Sequence, residues 1–320
     1  MSVTLEEYVR LIEGTRAQMD YKIIKAPVKA VLPKFKGIKA VLFDVYGTLI
    51  ASSVIDWEDL QAPNKTAHYI FKQVADEFDF TASLKKLNPD EKTDEILRKL
   101  FFKEMDKESN KFIKKGIEYP EVNMEIVWKN IVEKLIKRGY KYDESTYGNL
   151  NEFGFKVSFF QAFSMETKTF YPEVTETLKS LNGRGIKLGI VSNAQFFTIF
   201  DILRQLNLQS EEKINNLNEL FEEKLTIFSF EYNESKPSTT LFKKAFAACK
   251  KKGIREEEIA FVGNDLLKDI WTAKQASSSI KTILFAADKN GLKLRKKDKR
   301  CRDVKPDAVI TSMDQLLNIV

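Results

Sequence analysis

The sequence predicts an α/β protein, with a Rossmann-like parallel sheet covered by helices on both faces and an inserted helical cap domain. Two observations lead to this fold class. From residue 169 to the C-terminus, short apolar runs alternate with amphipathic segments of helical length, and parallel strands require such crossovers. One further apolar run, VLFD, lies far upstream, and the long segment between these two parts has only helical periodicity.

Residues 1–36 are predicted to form an N-terminal arm, in which TLEEYVRLIEG has apolar residues at helical spacing and ends in a glycine. The core domain then comprises residues 37–50 and 169–320. Its first strand, in IKAVLFDV, is an apolar run that stops at Asp44. Because open α/β sheets bind ligands at the carboxyl ends of their strands, Asp44 is predicted to lie at a binding edge.

Residues 51–168 are predicted to form the cap domain. This segment lacks any alternation of strand, turn and helix, and VNMEIVWKNIVEKLIKRG has apolar residues at helical intervals. A helical insertion after the first strand of the core is the simplest organisation that accounts for both features.

The rest of the core domain is predicted from regular alternation. Helices are expected in EVTETLKSLNGRG, FFTIFDILRQL, STTLFKKAFAACKKKG, LLKDIWTAKQA and the end of DAVITSMDQLLNIV. Buried strands are expected in IKLGIVSN, KLTIFSFE, IAFVGND, IKTILFAA and the start of DAVITSMDQLLNIV. These elements extend a parallel sheet in which every crossover is a helix.

Composition excludes several function classes. His68 is the only histidine, so a histidine metal cluster is impossible and a Ser-His-Asp triad is disfavoured. Cys249 and Cys301 lack the spacing of a thiolate metal site. No apolar run reaches the length of a membrane span and no secretory signal is recognisable, which predicts a cytoplasmic protein without a membrane partner.

The net charge of +6, from 52 basic and 46 acidic residues, indicates a solvated, lysine-rich surface. The densest basic run, LKLRKKDKRCRDVKPD, contains no aromatic residues that could stack on bases. Nucleic acid is therefore not the expected partner.

Polar residues follow four of the predicted strands, and they are Asp44, Ser192 with Asn193, Lys236, and Asp265 with Asp269. Each has an ordinary structural reading as a turn former, a helix cap or an acid at a helix start. In a parallel sheet with right-handed crossovers, however, all of these strand ends lie along one edge. Their convergence there predicts a site.

In chain order, DVYGT, VSN, SKP and GNDLLKD resemble the four motifs of the haloacid dehalogenase (HAD) superfamily of hydrolases. The resemblance extends from about Ile38 to Val320, and the helical insertion lies where such proteins carry a mobile C1-type cap. It implies a Rossmann-like core, an aspartate nucleophile and, in most members, Mg²⁺-dependent phosphoryl transfer.

Carried over residue by residue, the resemblance assigns the catalytic roles. Asp44 would be the nucleophile that forms an aspartyl-phosphate. Thr48 and Ser192 would donate hydrogen bonds to the transferring group, and Lys236 would balance its charge.

The resemblance also assigns the binding residues. Tyr46, Gly47 and Asn193 would contact the substrate or its phosphate. Mg²⁺ would be held by Asp44, by the backbone carbonyl of Tyr46 and by Asp265, with Asp269 close behind, as suits an ion that prefers oxygen ligands.

Tyr46 departs from the phosphatase pattern, in which a second aspartate protonates the leaving group and activates water. A phenol with an ordinary pKa near 10 is a poor base at neutral pH, which predicts slow turnover and a preference for activated esters.

Tyrosine at this position is the pattern of L-2-haloacid dehalogenases, which need no metal. Those enzymes, however, use an arginine early in the cap, whereas the first arginine after Asp44 is Arg98, and their fourth motif differs at Asn264 and Leu266. Three functions are thus open: a Mg²⁺-dependent phosphatase acting on a small phosphorylated molecule, which is favoured, a dehalogenase-type hydrolase, and a non-catalytic binding protein of this fold.

Overall fold

A computed structural model of the chain describes residues 2–15, 21–52, 60–165 and 167–320. The chain divides into two compact units. The first comprises residues 1–19 and 53–167, and the second comprises residues 20–52 and 168–320. Within the described ranges, no helix is both long and apolar enough to cross a membrane.

The first unit is helical. Its helices are α1 Leu5–Thr15, α2 Lys65–Glu77, α3 Thr81–Lys85, α4 Thr93–Ile113, α5 Met124–Ile136, α6 Glu144–Tyr147 and α7 Leu150–Met165. Aromatic side chains form much of its core, where Phe78 contacts both Phe153 and Phe160 edge to face. The helix predicted in the arm is present as α1 and packs against this unit, with the Tyr8 ring 6.4 Å from that of Tyr147.

The second unit contains a six-stranded sheet. The strands of this unit are β1 Ala40–Phe43, β2 Ile50–Ser52, β3 Lys168–Phe170, β4 Lys187–Ser192, β5 Thr226–Phe228, β6 Ile259–Gly263, β7 Lys281–Phe285 and β8 Ala308–Ile310. The large sheet has the order β5-β4-β1-β6-β7-β8, and all neighbours in it are parallel. The predicted parallel sheet is thereby confirmed.

Helices cover both faces of this sheet. They are α8 Val174–Gly183, α9 Thr198–Gln209, α10 Thr240–Lys251, α11 Thr272–Ala276 and α12 Leu316–Ile319. Because side chains alternate along a strand, Val41 and Phe43 of β1 join one hydrophobic core with α8 and α9, while Leu42 joins another with α10. The Rossmann-like fold class predicted from the sequence is correct.

Two features of the second unit were not predicted. Strands β2 and β3 form a separate antiparallel pair, with Ile50 opposite Phe170 and Ser52 opposite Lys168. Three-residue strands carry no readable periodicity, and their partners are distant in sequence. The N-terminal residues after 20 also join this unit, since Val31 bridges Val309 in antiparallel fashion.

The helix predicted over LLKDIWTAKQA begins as a π-helix, Leu266–Trp271, and becomes α-helical only at α11. The backbone amide of Ile270 donates to the Asp265 carbonyl at 3.2 Å, a five-residue step. Such wider turns are frequent at functional sites, and this one contains Asp269 and is capped by Asp265, the two acids of the fourth motif.

Candidate active site

Asp44 lies directly after β1 and is 7 % exposed. Its backbone amide donates to the Val262 carbonyl of neighbouring β6 at 2.9 Å, which extends the ladder by one residue. Its Oδ1 accepts hydrogen bonds from the Ser192 hydroxyl at 2.9 Å and from Lys236 Nζ at 2.7 Å. Three of the predicted catalytic residues therefore meet at one carboxylate oxygen.

Lys236 joins two acids. Besides Asp44, its ammonium donates to Asp269 Oδ1 at 2.6 Å and to the Val191 carbonyl at 3.0 Å. Burial alone would lower the pKa of Lys236, but the charges of Asp269 and Asp44 outweigh it and raise the pKa above the ordinary lysine value. The lysine is therefore a permanent cation at the nucleophile.

Asn193 positions this lysine through the backbone. Its amide oxygen accepts from the Lys236 backbone N–H at 2.7 Å, and its amide nitrogen donates to the Lys236 carbonyl at 2.9 Å. The side chain predicted to contact substrate thus ties the loop after β4 to the loop that carries Lys236.

Asp269 is almost fully buried, at 1 % exposure. Its Oδ2 accepts from the Asp265 backbone amide at 2.9 Å, and Gly263 makes room for it, since a Cβ there would lie 2.5 Å from the Asp269 side chain. Burial raises the pKa of Asp269 above the usual aspartate range, and the charge of Lys236 opposes this rise.

Asp265 is occupied by protein donors. Its Oδ1 accepts from the backbone amides of Leu267 and Lys268 at 2.9 and 3.1 Å. Its Oδ2 accepts from Arg295 Nε and Nη2 at 2.9 and 2.6 Å. This carboxylate therefore caps the π-helix and pairs with a guanidinium.

Mg²⁺ binds oxygen atoms that have a lone pair free to face the ion. Of the acids expected to hold it, Asp265 and Asp269 have both oxygens engaged by amides or cations. Among the described residues, no three His, Cys, Asp or Glu side chains are grouped so as to hold a metal ion. In the described arrangement, these residues do not fit magnesium.

Gly47 and Thr48 turn the chain beside the fourth motif. Gly47 has a φ of +85°, and a Cβ there would lie 2.1 Å from the Asn264 amide nitrogen, so only glycine allows this approach. The Thr48 hydroxyl donates to Asn264 Oδ1 at 3.1 Å, and Asn264 donates onward to the Gly291 carbonyl at 2.6 Å.

The Tyr46 side chain belongs to a second cluster. Its hydroxyl donates to Asp201 Oδ2 at 2.6 Å and lies 3.0 Å from the Thr198 hydroxyl. Lys168 Nζ donates to the same Asp201 oxygen at 2.7 Å and lies 5.5 Å from the centre of the Tyr46 ring. The phenol thus contacts a carboxylate that a lysine already neutralises.

Sequence reasoning missed four of these residues. In the sequence, Asp201 resembles an ordinary acid in the first turn of α9. Lys168 resembles an ordinary charged residue of a loop. Arg295 lies in the basic run at residues 292–307, which by itself indicates no ion pair with the fourth motif, and Asn264 is distinguished only as a departure from the dehalogenase motif. None carries a local pattern, because each acts through a partner far away in the chain.

A known protein family matches most of this chain. The family model of haloacid dehalogenase-like hydrolases matches residues 38–277, more than half of the chain. The chain therefore belongs to this family and is a hydrolase. No curated protein matches it.

Solved structures that resemble the chain bear the names of more than one activity. They include a 2-haloacid dehalogenase from Pseudomonas syringae pv. Tomato DC3000 (18% identity, 88% of this chain and 97% of that chain, TM-score 0.47). They also include the putative HAD-hydrolase YfnB from Bacillus subtilis bound to magnesium (17%, 89% and 99%, 0.45) and a HAD phosphatase from Thermococcus onnurineus (17%, 88% and 97%, 0.45). At these scores, the reaction has to be argued from the site itself.

Proposed function

We propose that the protein is a phosphatase that hydrolyses a small phosphorylated molecule through an aspartyl-phosphate on Asp44. The observation that carries the proposal is the pairing of Asp44 Oδ1 with both the Ser192 hydroxyl and the Lys236 ammonium. These donors orient the carboxylate and bring a positive charge to the position where phosphate oxygens would gather negative charge.

In the proposed reaction, Asp44 Oδ2 attacks phosphorus while Oδ1 stays with its two donors. The bond between phosphorus and the leaving oxygen breaks, and that oxygen takes the electron pair. Water then attacks the aspartyl-phosphate at phosphorus, which releases phosphate and restores the carboxylate. Lys236 remains charged throughout and balances the excess negative charge.

The proposal includes a single binding mode for Mg²⁺. Asp44, the Tyr46 carbonyl and Asp265 would hold it after Arg295 has left Asp265, and no step above depends on it. Arg295 is 36 % exposed in its side chain, so its release into solvent costs little burial. We further propose a cytoplasmic protein without nucleic-acid or membrane partners, whose residues 51–168 act as a C1-type cap.

A metal-free, dehalogenase-type displacement at carbon is the second candidate. The cations on Asp265 and Asp269 favour it, since they occupy carboxylates that would otherwise be expected to hold a metal. Arg98 argues against it as a halide receiver, because its side chain is 9 % exposed and its guanidinium donates to Glu95 at 2.9 and 2.6 Å.

The test is turnover of 4-nitrophenyl phosphate by the purified protein, with and without Mg²⁺, and in parallel halide release from 2-chloropropionate in EDTA. We expect phosphate release that Asp44→Asn abolishes. Halide release in EDTA without any phosphate release would replace the proposal by the second candidate.

A further inference from the structure

We propose that Arg295 takes the place of Mg²⁺ as the second cation of this site, so that the protein hydrolyses its substrate without a divalent metal ion. The first cation is Lys236, beside the nucleophile. Arg295 neutralises Asp265, the carboxylate that a metal would need, and acts through it rather than by contact with the substrate. This inference rests on the proposed function and specifies its metal requirement.

The contact between Arg295 and Asp265 is the first support. The guanidinium donates to Asp265 Oδ2 from Nε at 2.9 Å and from Nη2 at 2.6 Å. The other oxygen of Asp265 accepts from two backbone amides, and the side chain is 8 % exposed. Hydrogen bonds between charged groups are the strong ones. The charge of this carboxylate is therefore balanced, and its oxygens are occupied, by the protein itself.

The backbone holds the segment that carries Arg295 against the fourth motif. The Lys293 amide donates to the Asn264 carbonyl at 3.0 Å, and the Leu266 amide donates to the Lys293 carbonyl at 2.9 Å. These two hydrogen bonds form a parallel bridge between Asp265 and Lys293. Arg295 is two residues beyond this bridge, so its approach to Asp265 is built into the path of the chain.

Asp288 anchors the other end of the same segment. It is 2 % exposed, and it accepts from the Tyr21 hydroxyl at 2.6 Å and from the backbone amides of Ile24 at 3.1 Å and Gly291 at 3.3 Å. The Gly291 carbonyl in turn accepts from the Asn264 side chain at 2.6 Å. The segment is thus held at both ends, which reduces the entropic cost of placing its guanidinium.

Three buried acids share this site, and their charges are the second support. Lys236 bridges Asp44 and Asp269, and Asp269 accepts from the Asp265 backbone amide at 2.9 Å. One lysine among three carboxylates leaves two negative charges, which would repel an anionic phosphate. Arg295 removes one of them, and a metal ion on Asp265 would have the same effect.

The guanidinium and a metal ion are alternatives at Asp265. Both need the lone pairs of its Oδ2, which already accepts two hydrogen bonds from Arg295. The wild-type protein therefore has its second cation without Mg²⁺. Removal of the guanidinium frees the carboxylate, so that Mg²⁺ can then supply the missing charge.

The experiment measures hydrolysis of 4-nitrophenyl phosphate in EDTA and in excess Mg²⁺ by the wild-type protein, Arg295→Gln and Arg295→Lys. Arg295→Gln removes the charge and keeps a polar side chain, whereas Arg295→Lys keeps the charge. Arg300→Gln is the matched control, because Arg300 pairs with Asp298 in the same segment. Calorimetric titration with inorganic phosphate in EDTA gives a second readout that does not depend on turnover.

We expect the wild-type protein to have the same kcat/KM in EDTA and in Mg²⁺. In EDTA, Arg295→Gln should lose about 10- to 100-fold in kcat/KM, mainly through KM, as expected for removal of one charge from a partly buried site. Inorganic phosphate should bind this variant about tenfold more weakly, and Mg²⁺ should restore its activity. Arg295→Lys should keep most of the activity in EDTA, and Arg300→Gln should match the wild type.

Wild-type activity that EDTA abolishes and Mg²⁺ restores would overturn the inference and leave the proposed function intact. This comparison decides the question even if Arg295→Gln does not fold. Full activity of Arg295→Gln in EDTA, or a loss that Mg²⁺ does not restore, would likewise overturn it, because the pair with Asp265 would then be only structural. Absence of Asp44-dependent turnover in the wild-type protein under both conditions would instead reject the proposed function, and the inference with it.

Discussion

Two buried lysines at this edge of the sheet are paired in opposite ways. Lys236 forms ion pairs with two carboxylates, Asp44 and Asp269, and its Nζ lies 5.6 Å from the centre of the Phe261 ring. Among the described residues, Lys168 forms an ion pair with Asp201, and its Nζ lies 5.5 Å from the centre of the Tyr46 ring.

The two clusters differ in how the charges of their acids are balanced. One cation shared by two acids leaves a surplus of negative charge, which suits a nucleophile that must attack and then be restored. Among the described ion pairs, Lys168 balances the single charge of Asp201. The acids around Lys236 therefore carry more charge than their cation, whereas the described pair of Lys168 and Asp201 is balanced.

The largest effect is expected from Asp44→Asn, which breaks the first cluster at its reacting atom. Turnover of 4-nitrophenyl phosphate should fall by about 10⁴-fold or more, as expected for loss of a covalent nucleophile, while the circular dichroism spectrum stays unchanged. Activity within tenfold of wild type would show that another group is the nucleophile.

Removing each lysine tests the charge difference itself. Lys236→Met leaves two buried acids without their cation and should lower the free energy of unfolding by about 3–5 kcal/mol. Lys168→Met leaves one acid that keeps its bond from Tyr46, and the loss should be about 1–3 kcal/mol. Urea denaturation measures both.

In the Lys236→Met background, Asp269→Asn should recover part of the loss, because the two residues share one ion pair. Equal losses in the two lysine variants would contradict the contrast between the clusters.

A smaller effect is expected at Arg295, whose guanidinium pairs with Asp265 of the fourth motif. Arg295→Gln removes the guanidinium from Asp265 and should tighten binding of Mg²⁺ about tenfold, equivalent to about 1.4 kcal/mol. Isothermal titration calorimetry measures the affinity directly. Arg300→Gln is the control, since Arg300 pairs with Asp298 in the same segment; equal affinities in both variants would remove Arg295 as a competitor of the metal.

The smallest effect concerns Tyr21, whose carboxylate partner Asp288 has no lysine among its described ion pairs. Burial, and then the hydrogen bond to Asp288, raise the pKa of Tyr21 from 10.0 to about 12. Its contribution to stability is thus fully present below pH 10 and is lost as the pH rises through about 12. Thermal unfolding of Tyr21→Phe should vary less with pH in this window; identical profiles would exclude the contribution.

Much of the fold follows from local sequence. The apolar runs VLF, LGIVS and IAFVG predict strands because each strand of a parallel sheet is buried on both faces. The amphipathic segments between them predict the crossover helices. Right-handed crossovers then place Asp44, Ser192 and Lys236 on one edge, where the structure has them within hydrogen-bonding distance.

Tertiary structure alone decided which groups are partners. Tyr46 and Asp201 are 155 positions apart, and Asp44 and Lys236 are 192 apart. Periodicity reports which face of an element is buried, and it carries no information on which side chain lies opposite across such distances. The pairing of Arg295 with Asp265 and the π-turn beneath it arise from the same cause, because a side chain's chemistry at this edge is set by neighbours that folding brings together.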